Sequence, residues 1–383
     1  MVLDKPIVIF DFLSDPMGGL LTSAREFLQR VRQYDSESKI IVLELNKSIS
    51  PYVNDSANIV WININRPNSL LGWHRILWQN INLPKIIKKN NATIYVSLSH
   101  YLPWTLPRNI KKIIGISNLA PFSKAAFDAE VSWQKKLRLI LLSKSIIMSS
   151  NRADTVIALS NACKQELLLR GISEQKVVII PNGVSVSQHY KTNNPAIKNE
   201  HYVLCVSHFY RYKNYERLVK AYHLLPEKLK NKYPLLLVGK PYDVEYFNQI
   251  IALVKELGMK NNVTLITGLF GDDLINAYKN CSLFVFPSLI ENSPITLLEA
   301  MVYGAPTIAS DVPAMREFGQ QSIIYFDSTS EVDLSHKMEQ LLQNKKQRQS
   351  LEQAGIMQAS KYTWNEFSLN LVSTYLNFSL EVH

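Results

Sequence analysis

The chain has 383 residues, 46% of them hydrophobic and 19% charged, which is enough for two α/β domains with separate cores. No fixed period or biased segment recurs, so a disordered, low-complexity or repeat protein is excluded. The net charge of +10 asks for an acidic partner, and without a zinc-finger, RNA-binding or helix-turn-helix signature an anionic membrane surface suits it better than nucleic acid. Three widely spaced cysteines, Cys163, Cys205 and Cys281, fit buried apolar use in a reduced compartment rather than disulfides or a metal site. The first residues lack a signal-peptide pattern and no apolar run is long enough to span a bilayer. The expectation is a cytoplasmic chain, free or peripheral on the inner face of the membrane.

Residues 7–12 read as a buried strand, followed by a turn with Gly18 and Gly19 and a helix over 20–34. A glycine pair at that point lets backbone approach a ligand and leaves helix amides for an anion. Short β-rich runs follow at 40–45, 59–64, 93–98, 112–116 and 155–159, with helical patterns between most of them. That alternation predicts a parallel sheet with helices on both faces. His100 and Asn118 each follow one of these strands, at the carboxyl edge where such sheets meet ligands.

Over residues 135–144, Lys135, Lys136, Arg138 and Lys144 are interleaved with Leu137, Leu139, Ile140, Leu141 and Leu142. The stretch reads either as a basic helix lying in a headgroup layer or as an ordinary core-facing helix with snorkelling lysines. Pro181-Asn182-Gly183 is a generic turn signal. Residues 185–200, rich in Asn, Ser, Gln and Lys, read as the linker between domains.

The second half repeats the alternation. A strand at 202–207 leads through His208, Arg211, Lys213 and Asn214 into a helix from 215. Strands at 235–239 and 263–267 flank a helix over 244–257, with Gly268 after the latter strand. Asp272 and Asp273 suit the first turn of a helix, where carboxylates meet the positive dipole end, better than a metal site. The run at 283–286 is a strand, 287–294 a turn, and 295–303 a helix closed by Gly304. Glu291 stands just before that helix and Glu299 inside it. A strand at 322–326, helices over 329–344 and 347–361, and an amphipathic tail to 378 complete the chain.

Pro287-Ser288, Glu291, Leu298-Glu299-Ala300-Met301 and Gly304-Ala305-Pro306 together resemble the E-x7-E signature of retaining glycosyltransferases of the GT-B fold, family 4. The resemblance implies two Rossmann-like, doubly wound domains facing across a cleft. Residues 1–190 would form the acceptor-side domain, 191–363 the nucleotide-sugar domain, and 364–383 a helix returning to the first domain. It implies transfer of a sugar from a nucleotide-diphosphate donor to a glycan or lipid-linked acceptor in cell-surface polysaccharide biosynthesis, with no metal or other cofactor. Lys213 with Arg211 or His208, and the amides of Ile295, Thr296 and Leu297, would hold the diphosphate, with Gly18 and Gly19 facing it. Glu299 would take the ribose hydroxyls, Glu291 the donor sugar, and Thr267 and Gly268 the base. His100 and Asn118 would lie on the acceptor or sugar side.

Two segments depart from the pattern. Asn292-Ser293-Pro294-Ile295 replaces the usual Gly-Phe-Gly stretch, and His208 occupies a position where the family has Arg, whose charge does not titrate away. The competing readings are a nucleotide-sugar 2-epimerase of the same architecture and a catalytically silent scaffold that binds a glycan or partner.

Overall fold

Each of the two sheets is parallel throughout, and in each the strand that comes first along the chain lies third from one edge. The computed structural model describes residues 5–13, 18–53, 59–65, 72–187 and 201–380. The chain divides into two compact units: Met1–Asn118 with Ile140–Gly183 and Thr363–His383, and Leu119–Leu139 with Val184–Tyr362. Most of the expected linker, residues 188–200, lies outside the described residues.

The first sheet holds β1 (Ile7–Phe12), β2 (Lys39–Leu45), β3 (Ile59–Ile64), β4 (Ile94–Ser97), β5 (Lys111–Ile116), β6 (Thr155–Ala158) and β7 (Val177–Ile179). Their order is β3-β2-β1-β4-β5-β6-β7. The second holds β8 (Val203–Val206), β9 (Leu235–Val238), β10 (Val263–Ile266), β11 (Leu283–Phe286), β12 (Thr307–Ser310) and β13 (Ile324–Phe326), in the order β10-β9-β8-β11-β12-β13. Both orders reverse direction beside the first strand, at β1/β4 and at β8/β11. Outside the carboxyl ends of the strands, that reversal opens a crevice in which doubly wound sheets bind ligands.

The helices in chain order are α1 (Gly19–Tyr34), α2 (Gly72–Asn90), α3 (Lys124–Ala129), α4 (Trp133–Arg152), α5 (Asn161–Leu168), α6 (Tyr215–His223) and α7 (Glu227–Lys232). They continue with α8 (Val244–Glu256), α9 (Asp272–Asn280), α10 (Ile295–Val302), α11 (Pro313–Gly319), α12 (Glu331–Gln343), α13 (Lys345–Ala359) and α14 (Trp364–Leu380). Among the described residues no helix is long and apolar enough to cross a membrane.

Burial on both faces explains why the strands read as unbroken apolar runs. In the second unit the two-residue period of a strand splits the core in two. Val203, Cys205, Leu235, Leu237 and Val285 point to the side covered by α6, α8 and α12. Leu204, Leu236, Val238, Phe284 and Phe286 point to the side covered by α9, α10 and α11. All three cysteines are buried and none is in a disulfide, as expected of apolar filler.

The carboxyl-terminal helix belongs to the first unit, where α14 lies on α1. The Tyr375 ring meets Phe10 of β1 edge-on at 5.9 Å, and Phe10 in turn meets Phe27 of α1 at 5.0 Å. The Tyr375 hydroxyl donates to Asp35, the residue that ends α1. Burial pulls the Asp35 carboxyl upward, but hydrogen bonds from Tyr375 and from the Ser38 and Glu37 amides outweigh it and hold the group below its ordinary value.

Tyr375→Phe leaves that buried carboxylate one donor short. It should cost about 1–3 kcal/mol, read as a lower urea midpoint. An unaltered midpoint would show that the bond contributes nothing.

Candidate active site

Two loops at the carboxyl edge of the second sheet, one after β8 and one after β11, stand on either side of its reversal point. The first runs from His208 through a 3-10 turn, Arg211–Lys213, to Asn214, whose φ of 59° lies in the left-handed region that Asn tolerates better than most residues. The Asn214 side-chain amide donates to Pro287 O at 3.1 Å, in the second loop, and to Ser328 O at 3.1 Å, beyond β13. The Leu289 amide donates back to Tyr212 O at 2.8 Å. These bonds stitch the loops together and fix where their side chains can reach.

Their product is an ion pair between Lys213 Nζ and Glu291 Oε1, with side chains only 14% and 12% exposed. The ammonium also lies 5.3 Å from the Tyr212 ring centroid and 5.5 Å from that of Phe286. Four residues after Glu291, α10 begins. The Ile295 amide bonds to Ser293 O and that of Leu297 to Pro294 O, both at 3.0 Å. The start of this helix is where an anion would be favoured. The apolar face of α10, Leu297, Leu298, Ala300 and Met301, is buried in the core and holds the helix rigidly.

Glu299 follows one turn into α10. Burial pushes its carboxyl up to about 7, and a 3.1 Å hydrogen bond from the Tyr278 hydroxyl pulls the other way. His208, next to the site, is pushed down to about 4 by burial and then by the positive charges of Lys213 and Lys240, so its imidazole is neutral at pH 7. Arg211 is committed elsewhere. Only 8% exposed, its guanidinium donates to Gln249 Oε1 at 2.9 Å and faces Glu245 and Asp243, with its carbon 5.3 Å from the Tyr246 ring centroid. Thr267 and Gly268 lie exposed just past β10. Asp272 and Asp273 open α9, as expected.

In the first unit, Gly18 follows β1 with φ 58° and ψ −131°, a conformation open to glycine, and Gly19 starts α1. Ser23 of α1 hydrogen-bonds Gly19 O and Asn182 Oδ1, each at 2.8 Å, so the Pro181-Asn182-Gly183 turn braces the start of that helix. His100 follows β4 with φ 53°, its Nδ1 3.3 Å from Ser117 Oγ. Burial and the nearby Arg75 push it down to about 4. Asn118 is the last residue of this part of the unit.

Several contributors were invisible in the sequence. Leu119–Leu139 follows β5 of the first sheet yet belongs to the second unit, where α3 lies on the Arg211–Lys213 turn. There Lys135 pairs with the buried Asp243 at 2.6 Å, and burial raises the Glu130 carboxyl. Tyr210 stacks with Tyr212 at 5.6 Å and with Tyr242 at 5.7 Å, and Tyr242 meets His208 edge-on at 4.7 Å. Phe270, just past Thr267 and Gly268, is 57% exposed with Lys240 Nζ 5.1 Å from its ring centroid. The only sequence signals for these were an aromatic-rich loop and a Gly-Lys-Pro after β9.

Two Rossmann-like units, each built on a parallel, doubly wound sheet, are the architecture of the GT-B fold. The model for glycosyl transferases group 1 matches residues 187–358 and that for glycosyltransferase family 4 matches residues 17–188, and the chain belongs to this family. It is 30% identical over 224 residues to the serotype-specific mannosyltransferase WbdA of Escherichia coli, an alignment covering 56% of this chain and 27% of that one. The chain therefore spans about a quarter of that relative's length. It is 24% identical to O-antigen chain mannosyltransferase B of Escherichia coli, over 74% of both chains. Its fold is similar to that of HepE from Anabaena in complex with UDP and glucose, with 16% identity, a TM-score of 0.72 and coverage of 97% and 100%.

The Glu299 environment makes a measurable demand. In 13C-glutamate NMR, with Glu299→Gln for assignment, one resonance should titrate near pH 7, and Tyr278→Phe should move it higher by removing the donor to the ionised form. A titration at ordinary carboxylate pH in both proteins would mean that the carboxyl is solvated.

Proposed function

We propose that this chain transfers a sugar from a nucleotide-diphosphate donor to a glycan or lipid-linked acceptor in the assembly of a cell-surface polysaccharide, with retention of configuration and without a metal. The observation that carries the reading is the Lys213–Glu291 pair at the reversal point of the second sheet, followed by the first turn of α10 and Glu299. The similar mannosyltransferases support the reaction class and make mannose the first sugar to test. The HepE fold holding UDP and glucose supports a nucleotide-sugar donor.

The chemistry is departure of a nucleoside diphosphate from an anomeric carbon. Negative charge gathers on the leaving oxygens, and fixed cations and amides aimed at them supply the largest help. In this reading the donor's phosphates displace Glu291 from Lys213, and the released carboxylate turns to the sugar's hydroxyls or to the positive charge developing on its ring. The start of α10 meets the same phosphates. Glu299, ionised, accepts from the ribose hydroxyls. The leaving phosphate takes the acceptor's proton on the same face, so retention needs no dedicated base. Fixed protein charges do here what a metal does elsewhere.

A lipid-linked acceptor would suit α4, which exposes Trp133, Leu137, Ile140 and Leu141 together with Arg138 and Lys144. Lys135 is engaged by Asp243 and Lys136 by the Phe127 ring, so the attraction to anionic lipid rests on the other two cations.

Purified protein given donor and acceptor lipid should release nucleoside diphosphate, undiminished by EDTA. Lys213→Ala should lower turnover about a hundredfold or more. Glu299→Ala should weaken donor binding. No release, or full turnover in both variants, would refute the transferase reading, and loss of turnover in EDTA its metal-free part.

Donor affinity should also depend on pH. The empty site holds Glu299 near 7 and ribose binding favours its ionised form. Affinity should therefore be greatest above pH 7 and fall by about tenfold per unit below it, a slope absent in Glu299→Gln.

A further inference from the structure

The diphosphate reading leaves the charge in the empty site unbalanced. Lys213 is neutralised by Glu291, Arg211 is held by Gln249, Glu245 and Asp243, and His208 carries no charge at pH 7. A diphosphate brings more negative charge than the one cation released from Glu291 can answer.

The strand register supplies a second. β8 pairs with β9 so that Val206 faces Val238, and β9 pairs with β10 so that Val238 faces Ile266. Two residues further along each strand, the same register sets His208 beside Lys240 and Lys240 beside Gly268, with neighbouring chains about 4.8 Å apart. The backbone preserves this alignment past the strand ends. The Phe209 amide donates to Lys240 O at 2.9 Å, the Gly239 amide to Ile266 O at 3.0 Å, and the Asp243 amide to Phe209 O at 3.0 Å. A Cβ on Gly239 would fall 1.6 Å from Ser207 O, so the close approach of the two loops depends on glycine there.

Lys240 is exposed, and among the described residues it makes no ion pair; its ammonium rests over the Phe270 ring. Beside it, His208 Nδ1 is buried without a hydrogen-bond partner among the described residues. A charged group without a carboxylate and a buried polar atom without a partner thus stand past the ends of adjacent strands of one sheet.

We propose that Lys240 is the second cation of the diphosphate site, supplying the charge that His208 and Arg211 do not, with His208 adding a neutral hydrogen bond. This rests on the donor reading above, and it makes Lys240 a binding residue for the phosphates rather than for the base.

Calorimetry on the full chain with GDP and GMP, and with UDP and UMP, tests it in the wild type, Lys240→Gln, Lys240→Arg, His208→Arg and the Lys240→Gln/His208→Arg double variant. Loss of one charge-assisted contact should weaken diphosphate binding by about tenfold to a hundredfold. Lys240→Gln should show that loss for the diphosphate the wild type prefers, while binding of the matching monophosphate stays within about threefold. Lys240→Arg should retain affinity, and the double variant should recover it, because a guanidinium at position 208 replaces the missing charge.

Equal loss for both nucleotides would place Lys240 at the base beside Phe270 and overturn the proposal. Unchanged binding in Lys240→Gln, or no recovery in the double variant, would overturn it while leaving the donor reading intact. A wild type that binds neither diphosphate would remove both.

Discussion

The second unit's site depends on one residue in an uncommon backbone conformation. Asn214 turns the chain from the 3-10 turn into α6 in the left-handed region, and from there its single side-chain amide reaches carbonyls on two other loops. Few other side chains tolerate that φ, and none of those that do is as short and as well supplied with donors. Lys213 is the residue immediately before it. The position of the ammonium is therefore set by backbone geometry and buried hydrogen bonds rather than by attraction to Glu291, and the ion pair is a consequence of the fold. Such a pair gives little net stability once desolvation is counted. Its arrangement is more telling as a pre-built pair of opposite charges, each available to a different part of a ligand.

The titratable groups around that pair show the same economy. Glu299 is buried enough to sit near 7, His208 is kept neutral, and the Tyr278 hydroxyl that touches Glu299 is pushed well above its ordinary value. These shifts come mainly from burial, so each charged form is held at a cost that a complementary ligand would relieve. The buried apolar face of α10 and the bonds between loops meet that cost through the fold. A site of this kind gives up stability when empty in return for charged groups already gathered in one place.

What the sequence made legible follows distance along the chain. The strand, loop and helix that carry Glu291 and Glu299 lie within about twenty residues, so periodicity and turn chemistry located them, and the alternation of strands and helices disclosed both parallel sheets. Arg211 shows where that reasoning stops. It looked like a basic group on a ligand-facing loop, but its partners Glu245 and Gln249 lie on α8, more than thirty residues on, and only the packing of α8 against α6 brings them to it. The segment Leu119–Leu139 was illegible for a related reason. Nothing in its composition tells that α3, which follows a strand of one sheet, lies on a turn of the other unit.

Lys240 lies between these cases. A lone Lys between Gly239 and Pro241 carries no sequence signal, and exposure alone would class it with the other surface lysines. What singles it out is register. Parallel pairing fixes which residues of successive strands stand side by side, and two short loops leaving those strands keep the alignment for a few residues more. His208, Lys240 and Gly268, about thirty residues apart in sequence, are neighbours for that reason alone. In a doubly wound sheet the same pairing that builds the core therefore also decides which loop residues can share a ligand. A change of residue type at one strand end, such as His where a guanidinium is expected, is most economically balanced by the residue at the same level on the adjacent strand.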